Sequence, residues 1–267
     1  MAADEVLYAA ADNVATITLN RPDRMNAATF DMADQLRDAL ERAESDRDVR
    51  VLVLTGAGPA FCSGDDVEAA WGDPRMAQVM ADLDDVRPPI TPEVALLRDV
   101  TKPIIAAVNG PALGIGMDFA LWADVRLAST AATFGQLFVK MGLTADVTGL
   151  WLLPQLIGHA AAAELLFTGR VVKAAEAREL GLVSQVLEPA ELLPATMKLA
   201  ATIAQRPPRA VRAIKEGLRR ARGRDLNQLD DLGAFVGASL SRLFTSKDHK
   251  EAAAAFMEKR QPVFTGE

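Results

Sequence analysis

Twice along this chain a short apolar run of β character stops abruptly at glycine: Val51 to Thr55 ends at Gly56, and Ile104 to Val108 ends at Asn109-Gly110. Both runs read as strands, as does Val14 to Leu19, which alternates and ends at Asn20-Arg21-Pro22. Val125 to Ala128 and Val183 to Leu187 are further strand candidates. Helices fit between them: Thr29 is placed to cap a helix running to about Glu44, and a second is expected from near Gly116 to about Ala123. The recurring order of strand, loop, helix and strand favours a layered α/β architecture with functional loops at strand ends. From about Ala190 the pattern turns to Ala-, Leu-, Arg- and Lys-rich segments of helical period, broken at Pro207-Pro208 and by Gly223. This divides the chain into a core over 1–190 and a helical C-terminal region over 191–267. Gly72 to Pro92, with several Pro and Asp residues, reads as an irregular insertion, either a lid or a surface loop.

Composition removes several classes of function. Half of the 267 residues are apolar, which argues against disorder. No apolar run approaches the roughly 20 residues needed to cross a bilayer, and the N-terminal MAADEVLYAA lacks the regions of a secretory signal. A cytoplasmic protein without membrane attachment is expected. A formal net charge of −7 disfavours nucleic-acid binding. Cys62, the single cysteine, excludes an intrachain disulfide and a cysteine-rich metal site, and reads as small buried filler more readily than as a nucleophile. His159 and His249 have no partners at metal-ligand spacing, so no metal is expected, and a Ser-His-Asp hydrolase is poorly supported.

The two glycine-rich stretches carry the chemistry. In Ala60-Phe61-Cys62-Ser63-Gly64-Asp65-Asp66 and in Asn109-Gly110-Pro111-Ala112-Leu113-Gly114-Ile115-Gly116-Met117-Asp118, backbone N–H groups can be left free after a strand. If a helix starts near Gly116, the Ile115 N–H lies at its unsatisfied positive end, and the Ser63 N–H is its partner donor. A convergent pair of this kind is an oxyanion hole. Each stretch alone is better read as a tight turn between strand and helix, and no dinucleotide or phosphate loop is present; their joint occurrence shifts the balance.

Read together with the rest of the chain, these stretches resemble the enoyl-CoA hydratase/isomerase (crotonase) superfamily. The resemblance runs through Asn20-Arg21-Pro22 with Asn26-Ala27, Leu54-Thr55-Gly56, Ala60 to Gly64, Lys102-Pro103, Ala106 to Gly110, Phe134-Gly135, Leu166, Thr168-Gly169 and the closing Ala255 to Gly266. It implies a crotonase (ClpP-like) fold, a spiral of ββα units with a helical trimerisation region. The implied ligand is an acyl-CoA thioester whose oxygen is held by the Ser63 and Ile115 N–H groups, with no cofactor beyond the coenzyme A of the substrate. The family usually has glycine where this chain has Ile115, which crowds an acyl chain there.

Two glutamates of the family's hydratases are matched here by Asp118 and Phe138, so one carboxylate is shortened and the other absent. The run Met141 to Asp146, followed by Gly149, Trp151 to Pro154 and Gly158, resembles instead the segment carrying the catalytic aspartate of 1,2-epoxyphenylacetyl-CoA isomerases, with Ala145 in place of the usual proline. The resemblance therefore implies an isomerase with Asp146 as its mobile base and Asp118 as a second catalytic candidate. Phe138 and Ile115 would line the acyl pocket, with Phe138 desolvating Asp146. Aroyl-CoA dehalogenase chemistry is less favoured, because no histidine precedes His159. Both aspartates also have ordinary explanations, Asp118 in the first turn of a helix and Asp146 as a helix cap. For coenzyme A the resemblance implies Arg24, Asn26, Ala27, Ser63, Asp65, Asp66 and Val67, with Phe256 and Lys259 supplied by a neighbouring copy in a homotrimer or dimer of trimers. The alternatives are an enoyl-CoA hydratase and a non-catalytic acyl-CoA-binding protein.

Overall fold

A computed structural model describes residues 4–77, 92–221, 242–243 and 245–267, without the side chains of Trp71, Pro92, Glu93 and Phe256. A six-stranded sheet runs in the order β1 (Val6–Ala11), β2 (Val14–Leu19), β3 (Val51–Gly56), β4 (Ile104–Val108), β6 (Val125–Ser129) and β9 (Gln185–Leu187). β1 and β2 are antiparallel, and every other pair is parallel. A smaller sheet joins β5 (Pro111–Leu113), β7 (Thr133–Gly135) and β8 (Val172–Lys173).

The continuous apolar character of β3 follows from its position. Leu52 and Leu54 face a core built with α1 (Phe30–Ser45) and α3 (Pro92–Asp99), while Val51 and Val53 face a second core on the other side. A central parallel strand buried on both faces needs apolar residues at every position. The second core is closed by Leu192, Ala200 and Ala204 of α8 (Pro189–Ala204). α8 is thus part of the sheet's own packing, although the change in sequence pattern sets the division at 190. α9 (Pro208–Ala221) follows after the Pro207-Pro208 break.

The repeating unit is a strand of the main sheet, a short strand of the second sheet and a helix. β4 leads into β5 and then α4 (Ile115–Leu121), while β6 leads into β7. Thr29 caps α1 by accepting from the Met32 N–H at 3.0 Å, as its sequence position predicts. β1 escapes the sequence reading although its signal is present: Asp12 and Asn13, both at positive φ, form the two-residue turn joining it to β2. Residues 78–91 of the Gly72 to Pro92 insertion, and Gly223, lie outside the described residues; Val67–Gly72 form the short helix α2. No helix among the described residues is long and apolar enough to cross a membrane.

Candidate active site

The two glycine-rich stretches lie side by side. The Cys62 N–H donates to the Pro111 carbonyl and the Leu113 N–H to the Cys62 carbonyl, both at 3.0 Å, so the first stretch extends β5. Close approach explains the glycines. A Cβ on Gly116 would stand 2.2 Å from the Cys62 carbonyl oxygen, and one on Gly110 would stand 1.9 Å from that of Pro59. Gly114 has φ 52° and ψ −127°, a conformation hostile to L side chains, and it turns β5 into α4. The Ile115 N–H, first of α4, has no intrahelical acceptor. The Ser63 N–H, its expected partner, donates to the Met25 carbonyl at 3.1 Å, so an anion held there would share or replace that acceptor.

All seven residues of α4 are buried, including Asp118, which is fully enclosed. Its Oδ1 accepts from Gln136 Nε2 at 2.7 Å, its Oδ2 receives no donor among the described residues, and the Asp146 carboxyl lies within hydrogen-bonding reach of the Asp118 carboxyl. Asp146 caps α5 (Val147–Ile157), accepting from the Gly149 N–H at 3.0 Å through Oδ1, so its structural role as a cap is real. α5 is locked to the end of α4 by Trp122, whose Nε1 donates to Thr148 Oγ1 at 3.0 Å and whose ring stacks on Trp151 at 6.1 Å. That lock brings Asp146 against Asp118. Burial pushes the Asp118 carboxyl well above the usual carboxylate range, and the nearby Asp146 charge pushes it further. The two aspartates, taken one at a time in the sequence, are therefore a coupled pair.

The remaining candidates divide into groups. Phe138 is half-buried, its Cζ 4.0 Å from the Cβ position of Gly114, beside the entrance to α4. Asn26 is fully buried: its side chain accepts from the Arg21 N–H and donates to the Ala57 and Ala60 carbonyls at 2.7–2.9 Å. Its side chain is a strut between two loops. Arg24 is exposed but paired with Asp66 at 3.3 Å and Glu68 at 3.1 Å. Asp66 is buried and caps α2, also pairing with Arg21 at 3.0 Å. Burial alone would raise the Asp66 carboxyl, but the Ala69 N–H and the two guanidiniums outweigh it and hold it below the usual range. Asp65 and Val67 are exposed, and Ala27 and Ser63 are half-buried. Phe256 and the exposed Lys259 lie on and just beyond α10 (Lys247–Glu258); no hydrogen bond or ion pair among the described residues joins Lys259 to the Ser63 loop within one chain. Cys62 is buried with its thiol pushed up to about 12 by burial, which suits filler and not a nucleophile. Gln136 and Arg21 were missed by the sequence reading; a polar residue directly after Phe134-Gly135 is the only signal that marks Gln136.

The sequence profile of the enoyl-CoA hydratase/isomerase family matches residues 9–267, nearly the whole chain. The chain belongs to that family. A probable enoyl-CoA hydratase of Mycobacterium tuberculosis is 42% identical over 267 residues, covering 94% of this chain and 89% of its own. The 1,2-epoxyphenylacetyl-CoA isomerase of Escherichia coli is 36% identical over 253 residues, covering 95% of each chain. The crystal structure of an enoyl-CoA hydratase from Bacillus anthracis superposes with a TM-score of 0.90 at 32% identity, covering 98% of this chain and 100% of the other. The fold is the crotonase fold, and the protein is an enzyme of the hydratase/isomerase family.

Proposed function

We propose that this protein isomerises an enoyl-CoA or ring-epoxide CoA thioester through an enolate held by the Ser63 and Ile115 N–H groups, with Asp146 as the mobile base. The observation that carries this reading is the inequality of the aspartate pair. Asp118 is fully buried, and its carboxyl is raised by that burial and by the Asp146 charge, so it retains a proton where an ordinary aspartate has lost it. Asp146, half-buried, caps α5 through one oxygen and stands against the Asp118 carboxyl, and of the two it is the one that reaches the surface.

With a 3-enoyl-CoA, Asp146 removes a proton from carbon 2, the C–H electron pair forms the bond between carbons 1 and 2, and the carbonyl π pair moves onto oxygen. Collapse of the dienolate draws the same proton onto carbon 4 and leaves the double bond between carbons 2 and 3. No atom is gained or lost, so one base suffices. The exposed side of the loops at Arg24, Ala27 and Ser63 to Val67 would receive coenzyme A, with Phe256 and Lys259 of an adjacent copy completing it in a trimer or dimer of trimers. Ile115 and Phe138 would bound the acyl group.

One observation favours hydration as the second reading: Asp118 and Asp146 stand as neighbouring carboxyls, and such a pair can hold and activate a water between them. The test is mass spectrometry with a 3-enoyl-CoA and a 2-enoyl-CoA in water enriched in ¹⁸O and deuterium, with Asp146→Asn and Asp118→Asn alongside. Double-bond migration without ¹⁸O uptake, lost in Asp146→Asn, is expected. Uptake of ¹⁸O that needs Asp118 and survives the loss of Asp146 would establish the hydratase instead.

A further inference from the structure

The chain beyond α10 turns back along the helix it has just left. Lys259 has φ 53°, the left-handed conformation in which helices commonly end and for which glycine is the usual choice. The turn is closed by the Arg260 N–H on the Ala255 carbonyl at 3.0 Å, and the Arg260 guanidinium forks onto the Glu251 carboxylate at 2.6 and 2.8 Å. Further on, the Val263 N–H donates to Glu251 Oε1 at 2.9 Å, and the Thr265 and Gly266 N–H groups donate to the two oxygens of Asp248 at 2.7 and 3.0 Å. The Glu267 carbonyl receives the Lys247 N–H at 2.9 Å, and the side chains of Lys247 and Glu267 pair. Residues 260–267 therefore run from the last turn of α10 to its first.

This segment is anchored to the core. Phe264 is buried, and its carbonyl accepts from Arg50 Nη2 at 2.7 Å. Arg50 Nη1 donates to the Ala204 carbonyl at 3.1 Å, so one guanidinium just before β3 holds both the returning segment and the end of α8. Asp248 is buried as well. Gly266, at φ 83°, lies against the start of α9, where a Cβ would stand 3.1 Å from Pro208 Cγ. A lysine in the left-handed region is strained, and such a conformation persists only where the surroundings over-determine it. Here the forked ion pair and the backbone bonds of the returning segment supply that determination, and they leave the Lys259 side chain exposed.

The geometry points to residues 260–267 as a strap that holds α10 and the turn at Lys259 in place for coenzyme A, with Asp248 and Arg50 as positioning residues acting through it. The inference deepens the proposed coenzyme A site and rests on the reading that Phe256 and Lys259 complete that site in an adjacent copy. Without the strap, α10 has to be ordered as the ligand binds, and the apparent affinity falls with the fraction of copies in which the helix is already placed. The test is made first without turnover, on the full chain, with coenzyme A as titrant in calorimetry and with amide exchange of α10 followed by mass spectrometry. Asp248→Ala strips the partners of the Thr265 and Gly266 N–H groups. A chain ending at Val263 lacks the strap's anchored end and carries the test if the alanine variant does not fold. In both, α10 is expected to exchange faster and the Kd for coenzyme A to rise roughly tenfold, the effect of a helix placed in about one copy in ten. In turnover, KM should rise with kcat at saturation unchanged. A Kd within about twofold of wild type in both variants overturns the strap's role, whatever their Tm. A Kd that rises while α10 stays as protected as in wild type overturns it too, because the affinity was then lost elsewhere. Strap-dependent binding of coenzyme A by a protein that isomerises no thioester retains the strap and removes the proposed reaction.

Discussion

Gly116→Ala tests whether catalysis depends on the close approach of the two glycine-rich stretches. The added methyl would stand 2.2 Å from the Cys62 carbonyl oxygen and 2.7 Å from the Cys62 Cβ, and the carbonyl belongs to backbone that pairs with β5. Restoring ordinary contact requires α4 and the Cys62–Ser63 segment to part by about 1 Å. Overpacking of this kind costs about 1–3 kcal/mol, and the better helix propensity of alanine returns about 1 kcal/mol. A net loss of about 0–2 kcal/mol lowers Tm by at most several degrees in a chain of this size. The catalytic effect is expected to be far larger. The displacement separates the Ile115 and Ser63 N–H groups and carries Asp118 with the helix, and a misplacement of about 1 Å costs on the order of 100-fold in rate. The assay is exchange of the thioester α-proton into D₂O, followed by mass spectrometry beside a thermal melt. A folded Gly116→Ala protein that exchanges within about threefold of wild type would refute the argument that enolate stabilisation resides at this contact.

The Asp118 carboxyl makes stability depend on pH with a definite sign. Its folded-state pKa lies well above 3.8, so the folded state holds a proton that the unfolded chain has released, and stability falls as pH rises from about 4 through the raised folded value. Asp118→Asn removes this dependence, so its Tm advantage over wild type should grow from acid to neutral pH; a difference independent of pH would contradict the buried, raised carboxyl. Asn26→Ala should cost about 2–4 kcal/mol in urea unfolding, because it strips partners from the Arg21 N–H and the Ala57 and Ala60 carbonyls; a loss below about 1 kcal/mol would show that these groups find other partners.

The chain announces much of its fold locally. Apolar runs ending in glycine mark β3 and β4, Thr29 marks the start of α1, and Pro207-Pro208 marks the break before α9, because strand burial, caps and prolines are set by neighbours in sequence. β5, β7 and β8 have two or three residues each, too few to show a period, and exist because longer elements hold them together. The same division runs through the candidate site. The motifs mark Ser63, Ile115, Asp118 and Asp146 as residues of interest, and even the capping role of Asp146 follows from its place before Val147. Nothing in the sequence says that Asp118 and Asp146, 28 positions apart, share one buried environment, that Gln136 holds one of them, or that the Asn26 amide is spent inside the protein. Those relations depend on Trp122 locking α5 onto α4 and on glycine-sized gaps between segments distant along the chain. The sequence alone determined which residue types stand at the ends of strands. Their mutual distances, and hence their protonation, were decided by tertiary packing, because desolvation and charge coupling act through space and not along the chain.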